Sequence, residues 1–326
     1  MVEQPPGLDE SRAPDRPTEL GAAAWWAVLK RTVREFRADN LSDWAAALTY
    51  YAVLSIFPAL LVLVSVLGLV GESAVQPLID NLRGLAPGEV TDILTTGAQN
   101  LMNSRGAAGV LAVVGLAVAL WSASGYIAAF MRASNAIYDV PEGRPIWKTL
   151  TIRLSLTVLI GLMLLASALI VVFTGGLAER LATAIDAGSA ALTAWNILKW
   201  PILVILVAVM IGLLYWASPN AKQAGVRWIS PGGLLAVALW IIASAGFAVY
   251  AGNFGSYNKT YGTLGGVIIF LIWLWISNIA ILLGAEFDAE LHRGRAIAAG
   301  QPEDQEPYVE LRDTEKLDKR KDADLR

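Results

Sequence analysis

The sequence predicts an all-α, polytopic integral membrane bundle. It has six transmembrane helices, an N-terminal interfacial amphipathic helix, and both termini in the cytoplasm. Three observations carry this reading. The 326 residues hold only 25 basic and 28 acidic side chains, 16% of the chain, against 56% hydrophobic. A soluble domain carries about 25% charged residues, so these charges are too few to cover a water-facing surface. The charges are also absent from six stretches, 44–71, 106–131, 154–178, 200–221, 228–258 and 260–285. Each is long enough for the ~20 apolar residues a helix needs to cross the hydrocarbon core. Finally, with the N-terminus inside, the inside segments hold 20 of the 25 Lys and Arg. Only Arg83, Arg105, Arg180, Lys199 and Lys259 fall outside, which is the bias of the positive-inside rule.

Residues 1–21 are polar, Pro-rich and mixed in charge. They read as a disordered cytoplasmic tail and not as a cleavable signal peptide, so the first span serves as an uncleaved anchor. In 22–38, Trp25, Leu29, Val33 and Phe36 recur at helical spacing, and Lys30, Arg31, Arg34 and Arg37 fill the remaining surface. That pattern predicts a helix lying on the membrane, its basic residues against anionic lipid headgroups. Packing of the same stripe on the bundle is the competing reading.

The first span follows the cap-forming Asn40-Leu41-Ser42-Asp43 and carries Thr49, Tyr50, Tyr51 and Ser55 before Pro58. The outside segment 72–105 suggests a short amphipathic helix after Pro87. The second span passes through the small residues Ser122-Ala123-Ser124-Gly125, which permit close helix contact. The third ends at Gly175-Gly176, and segment 177–196 again reads as helical. The fourth begins near Trp200-Pro201. The fifth begins at Ser230-Pro231-Gly232, with proline in the first turn, where it is tolerated. The loop 253–261 is short and polar. The sixth span ends at Glu286, with Asp288 close behind. The membrane domain covers 22–292, and 293–326 reads as a charged, disordered cytoplasmic tail. Ala119-Leu120-Trp121 and Ala238-Leu239-Trp240 hint at a three-plus-three inverted repeat, on three identities only.

The inventory of reactive groups excludes most chemistry. The chain has no cysteine and one histidine, His292. Disulfides, thiolate nucleophiles and cysteine metal sites are therefore absent. Asp288, four residues before His292, suggests a surface ion pair. No Walker-type glycine loop and no serine triad can be assembled. The expectation is a non-enzyme with no metal or cofactor and no nucleic-acid partner. Its partner is the lipid bilayer, with anionic lipids at the cytoplasmic face, and homo-oligomerisation stays open. The candidate substrate-path residues are the polar groups at or near membrane depth: Asp43, Tyr50, Tyr51, Asn253, Lys259, Tyr261, Asn278 and Glu286. Such groups mark function by default, with interhelical hydrogen bonding as the alternative for each. Trp25, Trp26, Trp44, Trp147, Trp200 and Trp228 fall near span ends, as an aromatic belt requires.

Four segments taken in order resemble a known family. They are Ala47-Leu48-Thr49-Tyr50-Tyr51 with Leu54-Ser55-Ile56-Phe57-Pro58; Ser134-Asn135-Ala136-Ile137-Tyr138; Tyr257 through Gly266; and Trp273-Leu274-Trp275 leading to Leu282-Leu283-Gly284-Ala285-Glu286-Phe287. Over roughly residues 22–292 the chain resembles the YihY/BrkB family of bacterial inner-membrane proteins. The resemblance implies six transmembrane helices with both termini cytoplasmic, in the bacterial cytoplasmic membrane. Members have been called virulence or serum-resistance factors, and some ribonucleases, a label the missing metal ligands here do not support. The leading expectation is non-ATP-driven transport, or handling of a lipid or envelope component. A scaffold docking cytoplasmic partners and a membrane-embedded enzyme are the rivals.

Overall fold

A computed structural model of the chain describes residues 13–70, 108–172, 189–252 and 263–324. The expected helix within 72–105 and the loop 253–261 lie outside the described residues. Among the described residues a 3-10 turn at Pro17–Glu19 is followed by eight helices: α1 (Ala22–Ala38), α2 (Leu41–Val70), α3 (Ala108–Ile137), α4 (Ile146–Val172), α5 (Ser189–Ala217), α6 (Val226–Gly252), α7 (Thr263–Ala298) and α8 (Glu315–Asp324). Among the described residues there is no strand, only an isolated antiparallel bridge between Ala221 and Leu311.

Five stretches, Leu116–Ile137, Ile146–Val171, Ala190–Ala217, Pro231–Tyr250 and Gly265–Ala298, are long and apolar enough to cross a membrane. Their outward faces are apolar too: Leu162 and Leu164 on α4, Ile205 on α5 and Ile242 on α6 are all exposed. In water that surface would aggregate; against acyl chains it is the matching solvent. From α2 to α7 each helix touches the next, and α7 returns to α2, closing a ring. The core inside includes Leu48, Phe130, Leu214, Tyr215 and Leu282, with Phe130 and Tyr215 stacked at 6.3 Å.

The tightest helix crossing is set by glycine. A Cβ on Gly284 of α7 would stand 2.5 Å from the Gly232 carbonyl oxygen and 2.7 Å from Ala236 Cβ, both on α6. Only hydrogen fits there, so the two backbones approach closely. α1 packs on α7 in the same manner, with Val28 lying across Gly294 and a small core formed with Leu20, Phe287 and Leu291.

The structure departs from the sequence reading in four places. α5 begins at Ser189, well before Trp200-Pro201, and runs through Pro201. α6 begins at Val226, so Pro231 sits inside the helix and not in its first turn. A proline deletes one ladder bond and need not end a helix that is held by its neighbours. Residues 301–314, expected as disordered tail, dock on the bundle, burying Tyr308, Val309 and Leu311. Asn220 clasps this segment: its amide Nδ2 donates to the Asp313 carbonyl (2.9 Å), and its Oδ1 accepts from the Asp313 N–H (3.1 Å). Gly143 lies so close to the Asp313 carbonyl that a side chain there would displace the segment. Lastly, Arg31 does not face headgroups. It is buried between α1 and α7, its Nε 2.5 Å from Glu290 Oε2.

Candidate functional site

α7 carries the polar groups that matter, in two tiers. The upper tier is Asn278. It accepts from the Tyr126 hydroxyl of α3 (2.9 Å) and donates to Thr49 Oγ1 of α2 (3.0 Å). Thr49 in turn donates to the Ala45 carbonyl (2.8 Å). Asn278 thus ties three helices together, through both ends of its amide. One turn on, the Tyr215 hydroxyl of α5 donates to the Ile281 carbonyl.

The lower tier begins at Glu286, where the apolar run ends, and lies at the end of the ring that carries both α1 and the C-terminal segment. From Gly284 to Ala296 every residue of α7 is buried, enclosed by α1, α6 and the segment after Ala298. Asp288 Oδ1 accepts from the Gly232 N–H (2.6 Å), supplying a partner at the point where Pro231 breaks the α6 ladder. Its Oδ2 is buried without a hydrogen-bond partner. His292 does not form the expected surface ion pair with Asp288. Its ring is buried, Nδ1 lies 2.7 Å from the Asp288 backbone carbonyl, and Nε2 accepts from the Ala224 N–H at 3.3 Å. These contacts suit a neutral ring protonated on Nδ1.

Glu286 is only 1% exposed. Its carboxyl lies beside the Asp39 side chain, and its Oε2 is buried with no hydrogen-bond partner. Asp39 is the C-cap of α1, next to Asn40, whose φ of 52° turns the chain into α2. Around this pair stand Glu35, Asp139, Glu290 and Glu306. Three guanidiniums answer them. Arg34 holds Glu35 (2.7 Å). Arg31 holds Glu290. Arg293 reaches Asp139 (3.1 Å), Glu306 (3.0 Å) and Glu290 (3.3 Å) and lies over the Tyr308 ring. Six carboxyls facing three guanidiniums leave an excess of negative charge. Burial, reinforced by Glu35, pushes Asp39 up to about 6. Burial, with Glu306 and Asp39 adding to it, pushes Asp139 up to about 7. Both carboxyls therefore exchange protons near neutral pH. Among the described residues no three His, Asp or Glu side chains converge as a metal-binding set.

The sequence-selected residues divide. Asn278 and Glu286 lie on α7 in the two tiers. Asp43 and Tyr50 are exposed on α2 and join neither. Tyr51 packs on Gly125, where a Cβ would come within 2.8 Å of its ring. Asn253, Lys259 and Tyr261 lie outside the described residues. Lys30, Arg34 and Arg37 line the exposed face of α1, together with Trp26, Leu29 and Val33. The sequence reading missed Asp39, Asp139, Glu290 and Arg293. Its available signal was the density of charge from Glu286 to Arg295, directly behind a run of 26 residues with none.

The chain matches the virulence factor BrkB family over residues 32–308, a range reaching into the docked segment at Tyr308. It is 29% identical over 280 residues to YfkH of Bacillus subtilis (strain 168), a protein named as ribonuclease-like; the match covers 86% of this chain and 98% of that one. It is 33% identical over 267 residues to a UPF0761 membrane protein of Alkalilimnicola ehrlichii, covering 78% of this chain and 56% of that one. A UPF0761 membrane protein of Ralstonia nicotianae is 28% identical over 281 residues, with 81% and 58% covered. The chain thus spans a little over half the length of these UPF0761 relatives. No solved structure matches it. With its ring of long apolar helices and this match over most of its length, the chain is a membrane protein of the virulence factor BrkB family.

Proposed function

We propose that the protein is a transporter or lipid-handling protein of the bacterial cytoplasmic membrane. It works without ATP and uses the Asp39–Glu286 carboxyl pair to take up and release a proton. In this reading α2, 30 residues long and charge-free after Asp43, is the sixth span. Both termini are cytoplasmic, and α1 rests on the inner leaflet through Trp26, Leu29, Lys30, Val33, Arg34 and Arg37. The observation that carries the proposal is the partnerless oxygen of a fully buried Glu286 facing a second carboxyl. A buried charge without compensation is costly, so a proton must share the site in at least one state. An enzymatic role, including the one in the name of the Bacillus relative, forms no part of the proposal.

Proteoliposomes loaded with a pH-sensitive dye, and carrying a fluorescent phosphatidylglycerol in the outer leaflet, test it. Wild type is expected to move protons or lipid faster than empty vesicles, and Glu286→Gln to lose the pH dependence of that rate. Wild-type vesicles indistinguishable from empty ones in both readouts would sink the reading. That outcome would favour a scaffold, a role the interlocked Arg31–Glu290–Arg293 pairing also suits.

A further inference from the structure

Between the last turns of α3 and the first turns of α4 lies a cavity of about 280 Å³. Its wall carries Arg132, Arg144, Arg153 and Lys316 against a single acid, Glu142. Arg144 and Glu142 neutralise each other through two bonds of 2.7 Å. Arg132, Arg153 and Lys316 have no ion pair among the described residues. Arg153 is held in place on one side only. Its Nη2 donates to Ser124 Oγ (2.5 Å), its guanidinium lies 5.3 Å over the Trp121 ring, and its Nε is buried with no hydrogen-bond partner. Three uncompensated cations around one concavity, one of them with a sheltered donor, call for an anion.

The lip of the cavity identifies which anion. Ile146 and Leu150 line it and are themselves exposed, and Leu154 continues the same i, i+4 stripe along α4, also exposed. Trp147 beside them is exposed as well. A basic pocket between membrane helices that opens along an apolar stripe is shaped for a headgroup with acyl chains attached. We propose that this cavity binds the phosphate of an anionic phospholipid through Arg132, Arg153 and Lys316, the acyl chains lying along Ile146, Leu150 and Leu154. A soluble phosphate offers the same charge but nothing to cover the stripe. The site needs only that α3 and α4 cross the bilayer. It does not involve Asp39 or Glu286, so it stands or falls apart from the transport proposal.

Full-length protein in detergent, titrated with phosphatidylglycerol, cardiolipin, phosphatidylcholine or glycerol 3-phosphate, provides the test. Thermal unfolding is followed by tryptophan fluorescence and lipid retention by native mass spectrometry. Phosphatidylglycerol and cardiolipin are expected to bind and to raise the unfolding temperature; phosphatidylcholine and glycerol 3-phosphate are not. The double variant Arg132→Gln/Lys316→Gln removes two cations and should weaken binding on the order of thirty-fold. Arg320→Gln/Lys321→Gln on α8, which removes two exposed cations outside the cavity, should bind as wild type. Should the double variant fold poorly, Lys316→Gln alone, on the outer C-terminal segment, carries the test at about fivefold. Equal binding of phosphatidylcholine, equal stabilisation by glycerol 3-phosphate, or undiminished binding in the Lys316 and Arg132 variants would each overturn the proposal.

Discussion

Replacing Asn220 by alanine should release the C-terminal segment while leaving the ring of helices intact. Asn220 is fully buried. Its side chain donates to the Pro141 and Asp313 carbonyls (3.2 and 2.9 Å) and accepts from the Asp313 N–H (3.1 Å). Alanine removes all three bonds, while its own N–H still reaches Asn135 Oδ1 (2.7 Å) and its carbonyl still accepts from Arg312. Two of the three reach the segment, so at about 1 kcal/mol net for each the docked state loses about 2 kcal/mol, roughly thirtyfold in its opening constant. Trypsin reads this directly, because Arg312 and Lys316 lie on the clasped stretch and cleavage of a rapidly opening segment tracks the open population. Brief digestion of the full-length protein in detergent should cut Asn220→Ala about thirty times faster at these sites, with the helices still protected. Equal cleavage rates for variant and wild type would refute the clasp and leave the segment held by its other contacts, the buried Tyr308, Val309 and Leu311 among them.

Two further outcomes follow from the same packing. Gly284→Ala places a Cβ against a carbonyl oxygen and another Cβ on α6, neither of which can swing aside. Overpacking of this kind costs about 1–3 kcal/mol, so the melting temperature in detergent should fall by about 3–9 °C at the ~3 °C per kcal/mol expected for a chain of this size; an unchanged value would contradict the close α6–α7 crossing. Asp139 is pushed up from 3.8 to about 7, so the folded state holds a proton that the unfolded chain releases. Its contribution therefore favours folding at acid pH and is lost as the pH rises from about 4 to about 7. Asp139→Asn keeps the φ of 52° that Asn accepts readily and cannot ionise. The variant should match wild type near pH 4 and exceed it in melting temperature at pH 8, and a variant less stable than wild type at pH 8 would show that the Arg293 pairing outweighs burial.

The bundle could be read from the sequence because crossing a bilayer imposes a constraint that is additive along the chain. Each span needs a run of apolar residues, and five such helices appear where the runs predicted them. What the sequence did not yield depends on partners far away in the chain. Arg31 is one of four basic residues on α1, and only Glu290, 259 residues later, decides that it turns inward while Lys30, Arg34 and Arg37 stay exposed. The C-terminal segment was read from its charged end, Arg312 to Arg326, whereas its docking is decided by Tyr308, Val309 and Leu311 just before it and by Asn220 and Gly143 elsewhere. Asp43 and Asp39 differ by one helical turn, yet the break at Asn40 leaves the first exposed and sets the second against Glu286. These misses share a cause. α7 has 36 residues, about 54 Å at 1.5 Å per residue, against a hydrocarbon core of about 30 Å. Roughly sixteen residues therefore project past the bilayer as a stalk. On that stalk α1 and the C-terminal segment build a second, polar core that obeys the rules of a soluble protein. Hydropathy reads the first core and is blind to the second, and it is in the second that Asp39 and Glu286 meet.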